Sequence, residues 1–116
     1  MKDRYLFKAK RVDNGEWVQG FYLYDYEVDP TTICQCTGLK DKNGKLIWEN
    51  DVVKDEHGNF YKVFWQNNYY QFSWICVKSD VFSIGDKWDL WSFKGFEIEV
   101  IGNIFDNPEL LGRNDE

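Results

Sequence analysis

Residues 37–53 read Thr37-Gly38-Leu39-Lys40-Asp41-Lys42-Asn43-Gly44-Lys45-Leu46-Ile47-Trp48-Glu49-Asn50-Asp51-Val52-Val53. Two chain reversals and the opening of a strand fall inside this stretch. Lys42-Asn43-Gly44-Lys45 is a turn by composition, because Gly44 takes positive φ without a Cβ clash and Asn43 bonds its own backbone readily. Glu49-Asn50 forms the second reversal, Asn being the side chain that best accepts positive φ after Gly. Asp51-Val52-Val53 then opens a β-branched run. Turns this close together leave room only for short strands, which predicts an all-β chain.

The flanking sequence continues the pattern. Residues 4–11 and 16–24 are aromatic- and Val-rich and are separated by Asn14-Gly15, a pair suited to a type I′ hairpin turn. Residues 25–31 read as a loop and 32–36 as a short strand. The strand opened at 51–55 reverses at His57-Gly58-Asn59 and returns over 60–66 with Tyr61, Val63 and Trp65 on one face. After Asn67-Asn68, residues 69–77 place Tyr70, Phe72, Trp74 and Cys76 on one face, against Gln71 and Ser73. Residues 78–95 break the alternation, and Trp88-Asp89-Leu90-Trp91 fits a helical turn. Residues 96–105 form a further strand. In the tail, Asn107 suits a cap, Pro108 the first helical position and Gly112 the residue after the end.

The Glu49–Val53 step resembles the strand opening of small SH3-like barrels. The expected architecture is therefore one domain over 1–116, mainly β. An N-terminal hairpin and loop (1–31) lies against an SH3-like barrel (32–106), followed by a tail (107–116) with one helical turn.

The 116 residues include nine Phe, seven Tyr and six Trp. A chain of this length buries about two-thirds of its surface, so a core can absorb most of these rings. The net charge is −6. Lys2, Arg4, Lys8, Lys10 and Arg11 against Asp3 make the first eleven residues +4, leaving −10 for the remainder. An acidic body argues against tight nucleic-acid binding, which needs phosphate neutralisation. Cys34, Cys36 and Cys76 are odd in number and the size needs no staples, which points to a reducing compartment. No apolar run approaches the ~20 residues of a membrane span, and the start Met-Lys-Asp-Arg-Tyr lacks the apolar stretch expected of a signal peptide. The expected location is the cytoplasm, with no membrane partner.

Two blocks resemble the YopX family of phage and prophage proteins. The first runs from Gln35-Cys36 through Val53; the second is Glu99-Val100-Ile101-Gly102-Asn103-Ile104-Phe105-Asp106-Asn107-Pro108-Glu109-Leu110-Leu111. The start Lys8-Ala9-Lys10-Arg11 with Trp17 is similar as well. The motif positions are Gly38, Leu39, Asn43, Gly44, Glu49, Asn50, Asp51, Gly102, Asn103 and Pro108. Two residues depart from the family pattern: Cys36 replaces an aromatic and Asn50 a glycine. The resemblance implies a phage or prophage accessory protein in a host cell's cytoplasm and carries no catalytic residue with it.

The candidate chemistry is sparse. Cys34 and Cys36 share a strand face and lack the ligand set of a tetrahedral metal site unless Cys76 and His57 join them. No metal or cofactor is expected. His57 sits in a turn, a poor place for a general base. Glu49 and Asp51 point to opposite faces if extended, and Asp51 most simply bonds turn amides. Gly38 to Gly44 lacks the Gly-Lys-Ser/Thr ending of a phosphate loop. Lys40, Asp41, Lys42 and Lys45 form the candidate contact loop. The reading favoured is a non-catalytic interaction protein that self-associates, with a host or phage protein as a further partner. The alternatives are a nucleic-acid-binding barrel, which requires Lys8, Lys10 and Arg11 to join aromatics on one face, or an acidic DNA mimic.

Overall fold

A computed structural model of the chain describes residues 5–23, 26–92 and 97–111. Nine strands are described: β1 (Phe7–Lys10), β2 (Trp17–Gly20), β3 (Cys34–Lys40), β4 (Leu46–Trp48), β5 (Asp51–Lys54), β6 (Phe60–Gln66), β7 (Gln71–Lys78), β8 (Lys87–Asp89) and β9 (Glu99–Asn103). They form two antiparallel sheets, one ordered β2-β1-β3-β4 and the other β8-β7-β6-β5-β9. Three short 3-10 turns are also described: Pro30–Thr32, Leu90–Ser92 and Pro108–Leu111.

The all-β expectation is met, but the sheets do not close into a barrel: among the described residues no ladder joins them edge to edge. The N-terminal hairpin is an integral half of the first sheet, because β1 pairs with β3 through Phe7↔Gln35 and Lys8↔Cys34. Among the described residues, backbone bonds link the sheets at two places. Asn50, at φ 72°, turns the chain from β4 into β5. Its N–H donates to Val63 and its carbonyl accepts from Ile104 N–H. The β3–β4 turn docks on β9, where Lys42 N–H donates to the Ile98 carbonyl.

The core contains Ile47, Val53, Tyr61, Val63, Trp74, Cys76, Ile98 and Val100, with Leu39, Phe72, Trp88 and Leu90 packed on it. Ile47 comes from the first sheet and most of the rest from the second, so burial as well as backbone bonding joins the layers. Trp74 is fully buried and gives its indole N–H to the Leu90 carbonyl at 3.2 Å, as a buried Trp requires.

Several local expectations are corrected. The β1–β2 connection is a longer loop closed by Arg11 and Glu16, in which Gly15 has positive φ and Asn14 does not. The type I′ turn is thereby replaced. The Trp88–Trp91 segment divides: Lys87–Asp89 pairs with β7 as a strand, and only Leu90–Ser92 is helical. Asn107 turns its side chain back to accept Asn103 N–H instead of capping the tail. Gly112 and Phe96 lie outside the described residues.

Candidate functional site

The three sequence blocks singled out above converge on one place. Where the sheets meet, a cleft of about 370 Å³ is lined by Lys8 of β1, Trp17 and Gln19 of β2, Lys45, Leu46 and Trp48 at β4, Asp51 of β5, and Val100, Gly102 and Asn103 of β9. Strand alternation explains the first part. Ala9 points into the core and is fully buried, so Lys8 and Lys10 fall on the opposite face. The register sets Lys8 beside Gln19 and Lys10 beside Trp17. The Lys8 ammonium lies 4.5 Å from the ring centre of Trp17 and 5.0 Å from that of Trp48, a cation between two indoles.

The turn after β9 holds one wall. Asp106 accepts the Trp17 indole N–H at 2.8 Å, pairs with Lys10 and accepts from the Asn103 side chain at 3.1 Å. Lys10, then Trp17, hold its carboxyl down at about 2. Phe105 meets the Trp17 ring edge-on.

Asp51 lies in the cleft and is 3% exposed. It accepts Trp48 N–H at 2.8 Å, the turn bond expected of it. Burial pushes its carboxyl up to about 6, against the opposing pull of Lys8, the Trp48 N–H and Lys45. Glu49, its neighbour in sequence, faces away and accepts Gln35 N–H at 3.3 Å. The two carboxylates are not brought together.

The expected contact loop divides. Lys40, Lys42, Asn43, Gly44 and Lys45 are exposed, but Asp41 is buried at the base of the turn. Its oxygens accept from Asn43 N–H, Lys45 N–H and Val100 N–H, each at 2.9 Å. Burial raises its pKa, but the three donors outweigh that and hold the carboxyl below its ordinary value. Lys42 faces Glu99, and only Lys45 reaches the cleft. Gly38, at φ 86°, sits where the β3–β4 register shifts, and half-buried Leu39 packs on the core. Pro108 opens the 3-10 turn beneath Gly102.

The remaining candidates are elsewhere. Cys34 and Cys36 are buried on one face of β3, and Cys76 is in the other sheet on β7. Burial raises the thiols of Cys34 and Cys76. Among the described residues, no cluster of His, Cys, Asp and Glu could hold a metal ion. His57 is exposed in the β5–β6 turn, with its backbone N–H on Asp55. Lys10 and Arg11 are paired with Asp106 and Asp13, so two of the three described cations of the basic start are neutralised within the fold.

A second surface went unread in the sequence. The β6–β7 hairpin ends in Tyr69 and Tyr70, 67% and 82% exposed, beside half-exposed Trp65, whose ring contacts Phe72 edge-on. Tyr70 has φ 53°. Alternation places it on one strand face with Phe72, Trp74 and Cys76, but β7 begins only at Gln71. The available signal was the run from Val63 to Val77, which holds no charged residue in a chain that is 29% charged.

The fold and cleft define a class: a small all-β protein of two open antiparallel sheets, with an aromatic, charge-bearing cleft at their junction. Among the described residues no helix is long and apolar enough to cross a membrane. A family model described as YopX protein matches residues 4–112, nearly the whole chain, and the protein belongs to the YopX family. No curated protein matches it.

Proposed function

We propose that this member of the YopX family is a non-catalytic accessory protein of a phage or prophage, acting in the host cytoplasm through protein contact, and that it self-associates through the β6–β7 hairpin tip. The observation that carries this reading is Tyr70. A bulky residue at positive φ is a conformational outlier, costing roughly 1–2 kcal/mol relative to Gly or Asn at the same place. Here the strained residue points into solvent. Strain held at an exposed aromatic serves contact better than it serves the fold. Tyr and Trp are also the side chains most enriched at interface hot spots.

The charge pattern favours a second copy as the occupant. Two chains of net charge −6 repel, yet Val63 to Val77 brings no charge to a tip-to-tip contact. The isologous geometry of a two-fold dimer places the same patch on both sides. Sedimentation across a concentration series tests this. The expected result is a dimer that dissociates on dilution, and a monomer at all concentrations for Tyr69→Ser. A wild-type chain that remains monomeric throughout defeats the proposal.

A further inference from the structure

We propose that the inter-sheet cleft is a binding site for a small organic oxyanion, a carboxylate or phosphate, received by the ammonium groups of Lys8 and Lys45 and the carboxamide of Gln19. The argument starts with Lys8. Its ammonium is half-buried between Trp17 and Trp48 and forms no hydrogen bond or ion pair among the described residues. Indole faces attract a cation but do not accept its three N–H groups in the way an oxygen does. Four other cations meet acids: Lys10 with Asp106, Arg11 with Asp13, and Lys42 and Lys54 with Glu99. Lys40, Lys62, Lys78 and Lys87 form no ion pair among the described residues, and Lys8 is set apart from them by the cleft it lines. Lys45, at the cleft rim, likewise has no side-chain acceptor, and neither does Gln19, across the ladder from Lys8.

The cleft itself decides the ligand's charge and size. The position of a bound cation, between the indoles, is already filled by Lys8, so the unmet demand is for an acceptor. A volume of about 370 Å³ lies within the roughly 300–1,000 Å³ of small-molecule sites, larger than a bare ion needs. Asp51 adds a coupling. The charged or titratable groups around it are Lys8 on β1, Lys45 before β4, Asp41 in the β3–β4 turn and Cys34 on β3. An anion arriving among them favours the protonated carboxyl, so uptake strengthens as pH falls toward 6 and below.

The test is a titration of the full chain with inorganic phosphate, benzoate and adenosine monophosphate, following the indole N–H resonances of Trp17 and Trp48. The expected result is a saturable shift, and for benzoate, whose charge does not change between pH 7 and about 5, a tighter one at acid pH. Affinity should fall about tenfold or more in Lys8→Met, which keeps the apolar stem on the indoles but removes the charge. Lys62→Met, outside the cleft, should bind like wild type. A response to benzoate alone makes the ligand a carboxylate, and one to phosphate or the nucleotide makes it a phosphate; both support the site. If Lys8→Met does not fold, Lys45→Met takes its place. No saturable shift with any probe, or an undiminished one in the lysine variant, overturns the proposal. The hairpin tip is a separate surface, so Tyr70→Asn should leave this binding unchanged whatever becomes of self-association.

Discussion

Replacing Tyr70 with Asn should separate stability from association, moving them in opposite directions or moving only one. Asn accepts the left-handed region with little of the penalty a bulky side chain incurs, so the change relieves about 1 kcal/mol of backbone strain. Against this stands lost burial. Tyr70 is 82% exposed, so less than a fifth of its surface is covered. With roughly 200 Å² for a whole ring residue, that is on the order of 40 Å², or at most about 1 kcal/mol at 25 cal/mol per Å². Asn retains part of that cover, so the net change lies between zero and about +1 kcal/mol, a rise in Tm of up to several degrees for a domain near this size. Urea unfolding at high dilution, where the monomer dominates, isolates this term from mass action. Tyr70→Ala is the control: it loses the ring but keeps the strain, and should be about 1 kcal/mol less stable than Tyr70→Asn. In the same Asn variant the dimer should be lost. A drop in monomer stability well beyond 1 kcal/mol would mean that Tyr70 packs within its own chain. An unchanged dimer would mean that the tip is not the interface.

Further predictions follow from the cleft and its supports. Asp51 has a folded pKa of about 6 against roughly 3.9 unfolded, so the native state binds this proton more tightly. Its contribution to stability grows as pH falls from about 6 to about 4, by roughly 3 kcal/mol. Asp51→Asn should remove that gain while leaving the fold intact at neutral pH, as read by urea midpoints across the window. Asp41→Ala leaves three backbone N–H groups without their acceptor, one of them 59 residues distant, and should cost about 3 kcal/mol or more in the same assay. Gly102→Ala would bring a Cβ within 2.5 Å of Asn107 Oδ1 and 2.7 Å of Leu110 Cδ1. Displacing the tail turn should cost about 1–3 kcal/mol, and faster amide exchange at Asn103 and Leu110 would locate the damage.

Local sterics and alternation decided what could be read along the chain. Asn50 tolerates positive φ by its nature, and it has φ 72°. Gly44 at φ 81° makes the expected turn, and Pro108 opens the tail turn. Alternation buries Tyr61, Val63, Trp74 and Cys76 but not Trp65 of the same face, and Ser73 of the opposite face is buried too. Turn geometry and the sharing of a face depend on a residue and its immediate neighbours, so sequence alone determines them. Six of the ten cleft residues were legible in the same sense: Asp51, Gly102 and Asn103 as motif positions, Lys45 as part of the contact loop, and Lys8 and Trp17 as part of a basic, aromatic start. Their meeting was not legible. It depends on β1 pairing with β3, on β5 lying between β6 and β9, and on the Asp41 carboxylate reaching Val100, and no local preference encodes such long-range registers. Asp41 illustrates the difference. Its position among lysines in a turn reads as exposed, yet the docking of that turn on β9 surrounds it with backbone donors and buries it. Tyr70 is the converse: alternation places it on one strand face with Phe72, Trp74 and Cys76, but the hairpin register ends the ladder at Gln66↔Gln71 and leaves the ring in solvent. Sequence determined most of the turns and which residues share a strand face. Tertiary pairing determined that the sheets stay open, that a cleft forms between them, and which side chains occupy it.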